Sequence, residues 1–234
     1  MGYQQYAESF WENGFLYIPN FFDAHLMDTL NGIILEHYGL QPDWEHSDDF
    51  IQKSATEVVP WFPFQEGNNV FDVIEKDARL LQLSKAILGE GWGKLYFMAM
   101  FSKQGTRGQA WHQDCPPEDH ERFNLNRLFY THDINQMTGG QTIVYPKTHQ
   151  GGAIPAGYPH EDLDGQLVLS PEKGSLLLLH GHVWHRVLPV KGEYRISANS
   201  RAIPKGTPGN ITDIAVYRNM RYRFSTKEVI EERE

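Results

Sequence analysis

Trp111-His112-Gln113-Asp114-Cys115-Pro116 is the stretch around which this 234-residue chain is organised. In an extended strand, side chains two apart share a face, so His112 and Asp114 project together and Gln113 points the other way. Cys115, Pro116 and Pro117 then stop the strand, because proline cannot donate to a ladder. A histidine and a carboxylate at one strand end are two ligands of a metal site that needs a third. His-x-Asp is short and arises by chance in many chains, so its meaning depends on what surrounds it.

Around it the texture is that of short strands. Leu95–Phe101 is apolar on both faces, and Gly105 to Gly108 turns the chain into the His-x-Asp strand. Arg127–His132, Gln141–Tyr145, Gly165–Leu169, Ser175–His180, 183–189 and 193–203 follow, separated by turn residues such as Gly139-Gly140 and Gly174. The run Ser175–His180 is continuously apolar, as in a strand buried on both faces. Upstream, residues 3–13 read as a helix closed by Gly14 and Phe15–Pro19 as a strand. Asp23 caps a helix that ends at Gly39, and 71–88 form a third helix closed by Gly89. Residues 41–67 are irregular but carry Trp44, Trp61, Phe62 and Phe64, which either form a lid or pin the loop to the core. About eight short strands behind a helical start predict a mainly β fold, a barrel or jelly roll with flanking N-terminal helices. No repeat or linker divides the chain. One domain over 1–234 is expected, with a helical third (1–92), a β core (93–205) and a C-terminal extension (206–234).

Composition narrows the partners. A net charge of −9 argues against a phosphate backbone as the main partner. The one cysteine, Cys115, allows no internal disulfide and no cysteine-based zinc site, and fits a cytoplasmic setting. The N-terminus shows no secretory pattern and no apolar run reaches the length of a membrane span. The expected partner is a small molecule rather than nucleic acid or membrane.

Candidates for the third ligand crowd into His180-Gly181-His182-Val183-Trp184-His185. One of these histidines joins His112 and Asp114 in a two-histidine, one-carboxylate set that suits Fe(II), or His180, His182 and His185 form a zinc site of their own. The residues alone leave both open. Downstream, Arg195, Ser197 and Asn199 share a strand face. A guanidinium fork with a hydroxyl two residues on makes a carboxylate clamp. Among the other histidines, His37 belongs to a helix face, and His25, His46, His120, His132 and His160 read as solvated or locally paired.

Taken together, Trp111–Asp114, Thr138-Gly139-Gly140-Gln141-Thr142-Ile143-Val144-Tyr145-Pro146-Lys147-Thr148-His149, Gly174–His185 and Arg195 resemble the phytanoyl-CoA dioxygenase-like family of Fe(II)/2-oxoglutarate-dependent oxygenases. Glu12–Pro19 is similar to the family's opening strand. Tyr145 stands as an insertion before Pro146, and Lys147-Thr148 replaces the family's Gly-Ser. The resemblance implies a double-stranded β-helix (cupin-like) core, with His112, Asp114 and His185 as iron ligands and Arg195 gripping the distal carboxylate of 2-oxoglutarate. It leaves His180 as a buried strand histidine, His182 as a turn residue and His149 as structural. Ser197, Asn126 and Tyr130 are candidates for the co-substrate pocket. The implied reaction consumes O2 and 2-oxoglutarate, releases succinate and CO2, and hydroxylates or otherwise oxidises a small organic substrate such as a natural-product intermediate. Halogenating relatives carry a small residue at the carboxylate position, so Asp114 implies oxygenation. A zinc-dependent cupin-like hydrolase and a non-catalytic ligand-binding barrel are the competing readings. Substrate identity and oligomeric state lie beyond the sequence.

Overall fold

The computed structural model describes residues 2–39 and 60–212, and the backbone of 59, 214–217, 220–224 and 229–232. Trp44 and His46 lie outside these residues, so the lid reading is settled only for the aromatics after them.

Helix α1 (Tyr3–Asn13) ends where Gly14, at φ 79°, donates its N–H to the Phe10 carbonyl at 2.7 Å. This left-handed cap favours glycine. Strand β1 (Phe15–Ile18) follows, then α2 (Ala24–Tyr38), capped as expected by Asp23, whose Oδ1 accepts from Leu26 N at 3.0 Å. The expected helix 71–88 is instead two, α3 (Asp72–Glu75) and α4 (Ala78–Leu88). The break is at Asp77, whose carboxylate accepts from the N–H groups of Arg79 and Leu80. A capping aspartate offers the backbone an alternative to continued helix, and here that local bond wins.

Two antiparallel sheets carry the rest. In one, β1 lies beside β8 (Leu176–His180), then β5 (Leu125–Phe129), β10 (Tyr194–Ile203), β3 (Gly93–Lys103) and β2 (Val59–Trp61). In the other, β13 (Val229–Glu232), β12 (Met220–Phe224) and β11 (Ile214–Tyr217) extend a group made of β4 (Gln109–Gln113), β9 (Trp184–Val187), β6 (Thr142–Tyr145) and β7 (Leu167–Leu169). This is the double-stranded β-helix. The strand expected at 127–132 starts and ends earlier, because Leu125 and Asn126 pair with His180 and Leu179. β4 stops at Gln113, so Asp114 stands just past the strand end rather than within it. Three strands of the C-terminal extension were not anticipated; β11 pairs Tyr217 with His112, directly on the ligand strand.

Alternation along each strand sorts the side chains. Phe97, Ala99, Phe101, Phe129, Leu178, Ile196 and Ala198 face outward into the main core beneath the helices, with Phe10, Met27, Ile34 and Phe71. Their neighbours Met100, Leu128, Leu177 and Leu179 face inward, meeting Val144 of the opposite sheet. Trp61 stacks on His37 at 4.0 Å and Phe64 meets Phe97 edge-on, so both pin their segment to the core. Fully buried Arg127 ties the first sheet to the helices through Ser84 Oγ at 3.1 Å and Glu75 Oε2 at 3.4 Å. Among the described residues no helix is long and apolar enough to cross a membrane.

Candidate metal centre

The chamber between the sheets holds a compact set of polar side chains. β4 and β9 pair antiparallel with His112 directly opposite His185, and the two rings lie 4.0 Å apart by centroid. Each ring is oriented by its own strand: His112 Nδ1 lies 2.7 Å from the Ala110 carbonyl and His185 Nδ1 lies 2.9 Å from the Val183 carbonyl. A carbonyl can only accept, so both Nδ1 atoms carry the proton and both Nε2 atoms present a lone pair. Those lone pairs converge on Asp114, whose carboxylate oxygens lie 3.8 Å from His112 Nε2 and 3.4 Å from His185 Nε2. Among the described residues this is the one set of three histidine, cysteine or acidic side chains whose ligand atoms lie within 4.8 Å of one another.

Asp114 is held on all sides. Its backbone N–H donates to Gly181 O at 2.7 Å, and Asn124 Nδ2 donates to its carbonyl at 2.6 Å. A side chain at Gly181 would put a Cβ 2.7 Å from Cys115 Sγ, which is why the His-x-His segment is interrupted by glycine. On the carboxylate, Asn126 Nδ2 donates to Oδ2 at 2.8 Å and Arg201 Nη2 lies 3.1 Å from Oδ1. Burial pushes this carboxyl up, but the Arg201 guanidinium beside it outweighs burial and holds it well below the usual carboxylate range. Burial, aided by His185, pulls His112 down to about 3, so its ring is neutral and ready to ligate.

At the other end of the chamber Arg195 is 3% exposed. Its Nε donates to Gly140 O at 2.7 Å, Nη1 to Ser197 Oγ at 3.0 Å and Nη2 to Thr142 Oγ1 at 3.5 Å. Tyr130 lies beside it, its hydroxyl 3.0 Å from the same Thr142 Oγ1. Gly140 sits at φ 70°, and a Cβ there would lie 2.5 Å from Arg195 Cδ, so the Gly-Gly turn makes room for the guanidinium.

The sequence matches the phytanoyl-CoA dioxygenase (PhyH) family over residues 10–195 of 234, most of the chain and every residue of the triad. The chain belongs to the phytanoyl-CoA dioxygenase family. It is thus an Fe(II)- and 2-oxoglutarate-dependent enzyme, and its donor set fits that assignment: two neutral imidazoles and one carboxylate on one face suit non-haem Fe(II). No curated protein matches it by sequence. Solved structures share the fold at low identity. The epimerase SnoN, crystallised with Fe3+, alpha ketoglutarate and nogalamycin RO, is 14% identical with a TM-score of 0.65, covering 92% of this chain and 86% of its own. HygX from Streptomyces hygroscopicus, with nickel, 2-oxoglutarate and hygromycin B, is 14% identical with a TM-score of 0.67 over 86% and 87%. EvdO2 from Micromonospora carbonacea var. aurantiaca is 14% identical with a TM-score of 0.68 over 86% and 90%.

The histidine cluster forms no second site among the described residues. His180 stacks on Phe123 at 4.0 Å, and its Nδ1 accepts from His182 N at 3.2 Å. His182 faces Cys115 Sγ through Nδ1 and the carbonyls of Asp119 and Arg122 through Nε2. His149 Nε2 bonds the Trp11 carbonyl, a structural role. Arg195 lies across the chamber from His185: β9 and β10 belong to different sheets, so the pocket is shared because the sheets face each other, not because the strands are neighbours. Asn126 and Tyr130 fall at opposite ends, one on Asp114 and the other beside Arg195. Two residues escaped the sequence reading, Thr142 and Arg201; Asn199, already placed on the Arg195 face, donates to Asn126 Oδ1 at 2.7 Å. Continuing the Arg195–Ser197–Asn199 alternation by one step reaches Arg201.

Two expected outcomes follow from this geometry. Asn126→Ala removes a bond that orients the carboxylate, and metal affinity falls about 10- to 100-fold in a metal titration; an unchanged affinity contradicts that role. His132 Nε2 accepts from Ile196 N at 3.0 Å and so must stay neutral. Burial, with Arg195 nearby, pulls it from 6.5 to about 4. The unfolded chain therefore takes up this proton first as pH falls. The neutral histidine's contribution is complete above pH 6.5 and is lost between 6.5 and about 4, about 3 kcal/mol at most. Denaturant midpoints of the metal-free protein should drop over that window, and less steeply in His132→Gln.

Proposed function

We propose that this chain is an Fe(II)/2-oxoglutarate-dependent dioxygenase that hydroxylates, or oxidises in a related way, a C–H bond of a small organic molecule, with release of succinate and CO2. The observation that carries the reading is the convergence of two backbone-pinned Nε2 lone pairs on the Asp114 carboxylate. His112, Asp114 and His185 would hold the iron. When bound, iron and 2-oxoglutarate supply the oxidising chemistry: one atom of O2 enters succinate as CO2 leaves, and the other goes to the substrate.

The chain's own residues position and insulate that chemistry. Arg195, preset by Gly140 O, Ser197 and Thr142, presents a fork for the distal carboxylate of 2-oxoglutarate. Tyr130 closes the space beside the fork and Asn126 fixes Asp114. Met100, Leu128, Val144, Leu177 and Leu179 keep water from the chamber wall. Asp114 is a carboxylate, which supports oxygenation over halogenation. The nogalamycin and hygromycin compounds in the SnoN and HygX structures support a natural-product intermediate as substrate. The single cysteine, buried Cys115, supports a cytoplasmic setting. Incubation with 18O2, Fe(II), 2-oxoglutarate and candidate metabolites tests the reading. One 18O atom in each succinate formed is the expected result; succinate without label, or none with any metabolite, contradicts it.

A further inference from the structure

The inner face of β10 carries two arginines, not one. Arg195, Ser197, Asn199 and Arg201 alternate along it toward the chamber. Arg195 has a partner for each of its three nitrogens. Arg201 does not: its side chain is 9% exposed, Nη2 lies on Asp114 Oδ1 at 3.1 Å, and the buried Nε has no partner among the described residues. A buried guanidinium with an idle donor is costly unless a ligand fills it. The backbone is shaped around this side chain. Ser200 pairs with Phe97 and Ala202 with Lys94, so β3 bulges by one residue opposite Arg201. Bulges of this kind re-aim side chains beside active sites. Here the bulge brings the Tyr96 ring under the guanidinium at 5.7 Å, and Phe62 meets Tyr96 edge-on at 5.7 Å.

Charge balance points to what Arg201 takes. The buried charged side chains facing the chamber, among the described residues, are Asp114, Arg195 and Arg201; Arg127 and Arg186 lie on outer sheet faces, and Glu75 stands on helix α3 against Arg127. Fe(II) and doubly anionic 2-oxoglutarate cancel each other, and Asp114 cancels one arginine. One positive charge remains, and a singly anionic ligand neutralises it. A positioning role alone would need no fork, since Asn126 already holds the other oxygen of Asp114.

We propose that Arg201 is an anion-binding residue beside the metal site and that it selects a substrate carrying one carboxylate on an apolar body, which rests against Tyr96 and Phe62. This rests on the Fe(II)/2-oxoglutarate reading above.

The test uses the full chain loaded with redox-silent Ni(II) and 2-oxoglutarate, with matched probes: phenylacetate against phenylacetamide, 3-phenylpropionate against its amide, and octanoate against octanamide. Binding is followed by ligand-observed NMR in the wild type, Arg201→Gln and Arg201→Lys, and nickel content and 2-oxoglutarate affinity are measured for each. The wild type should prefer acids over amides by about 10-fold or more, and Arg201→Gln should lose the preference when both are compared at saturating nickel and 2-oxoglutarate, its nickel affinity falling with the loss of a partner of Asp114. Arg201→Lys, which keeps the charge, should retain the preference with weaker binding, and it decides the matter if the glutamine variant does not fold. Equal binding of acid and amide, no binding of any acid, or an acid preference that survives in Arg201→Gln overturns the proposal. A fall in 2-oxoglutarate affinity in Arg201→Gln with acid binding unchanged assigns the carboxylate to the co-substrate and overturns selection of the substrate. Failure of the wild type to take up 2-oxoglutarate is a separate result, which strikes the functional reading itself.

Discussion

Replacing His112 or Asp114 with alanine is expected to abolish 2-oxoglutarate-dependent succinate formation. Each would supply one of three ligand atoms, and no other histidine or acidic group among the described residues stands within reach of the remaining two. Changes to mere outer-shell partners of metal ligands cost 10- to 100-fold, so loss of a ligand should exceed about two orders of magnitude. Asp114→Ala carries a second cost, because it leaves Arg201 buried with no described anion beside it. Asp114→Asn, which keeps the shape, separates the two effects: succinate formation is lost while thermal stability stays closer to wild type. His180→Ala is the control. It changes a ring stacked on Phe123 and should leave succinate formation in place. Retained turnover in His112→Ala with loss in His180→Ala would move the metal to the histidine cluster.

Arg195→Ala is expected to weaken 2-oxoglutarate by about 100-fold, at the scale of truncating one partner of a buried, hydrogen-bonded charge pair. The effect should appear in the apparent affinity for 2-oxoglutarate and not in metal content, since Arg195 bonds Gly140, Ser197 and Thr142 and none of the triad. Arg195→Lys should recover only part of the loss, because an ammonium cannot offer the fork. An unchanged affinity in the alanine variant would mean that another side chain grips the co-substrate.

Much of this was legible in the residues, and what was not has a physical cause. The alternation rule placed His112 and Gln113 on opposite faces, and Gln113 indeed turns away to bond the Gly152 and His182 carbonyls. Capping chemistry located Gly14 and Asp23. It also could have split the helix at Asp77, had a mid-pattern aspartate been weighed as a cap. Pairing between strands distant in sequence was out of reach: nothing in the spacing of His112 and His185 says that they stand opposite each other, because register between β4 and β9 is set by the whole sheet. The same limit hid Thr142 and Asn126 as neighbours of Arg195 and Asp114. Arg201 was within reach, two residues past Asn199 on a face already recognised, but an arginine near a strand end reads as a surface residue until its burial is known.

His112, Asp114 and His185 are proposed to hold Fe(II) in a geometry that also admits 2-oxoglutarate. Anaerobic addition of Fe(II) and then 2-oxoglutarate to the purified chain tests it directly. The expected result is a weak visible charge-transfer band that needs both additions and is absent in Asp114→Ala. Folded wild-type protein that takes up iron and shows no such band at saturating 2-oxoglutarate would contradict it.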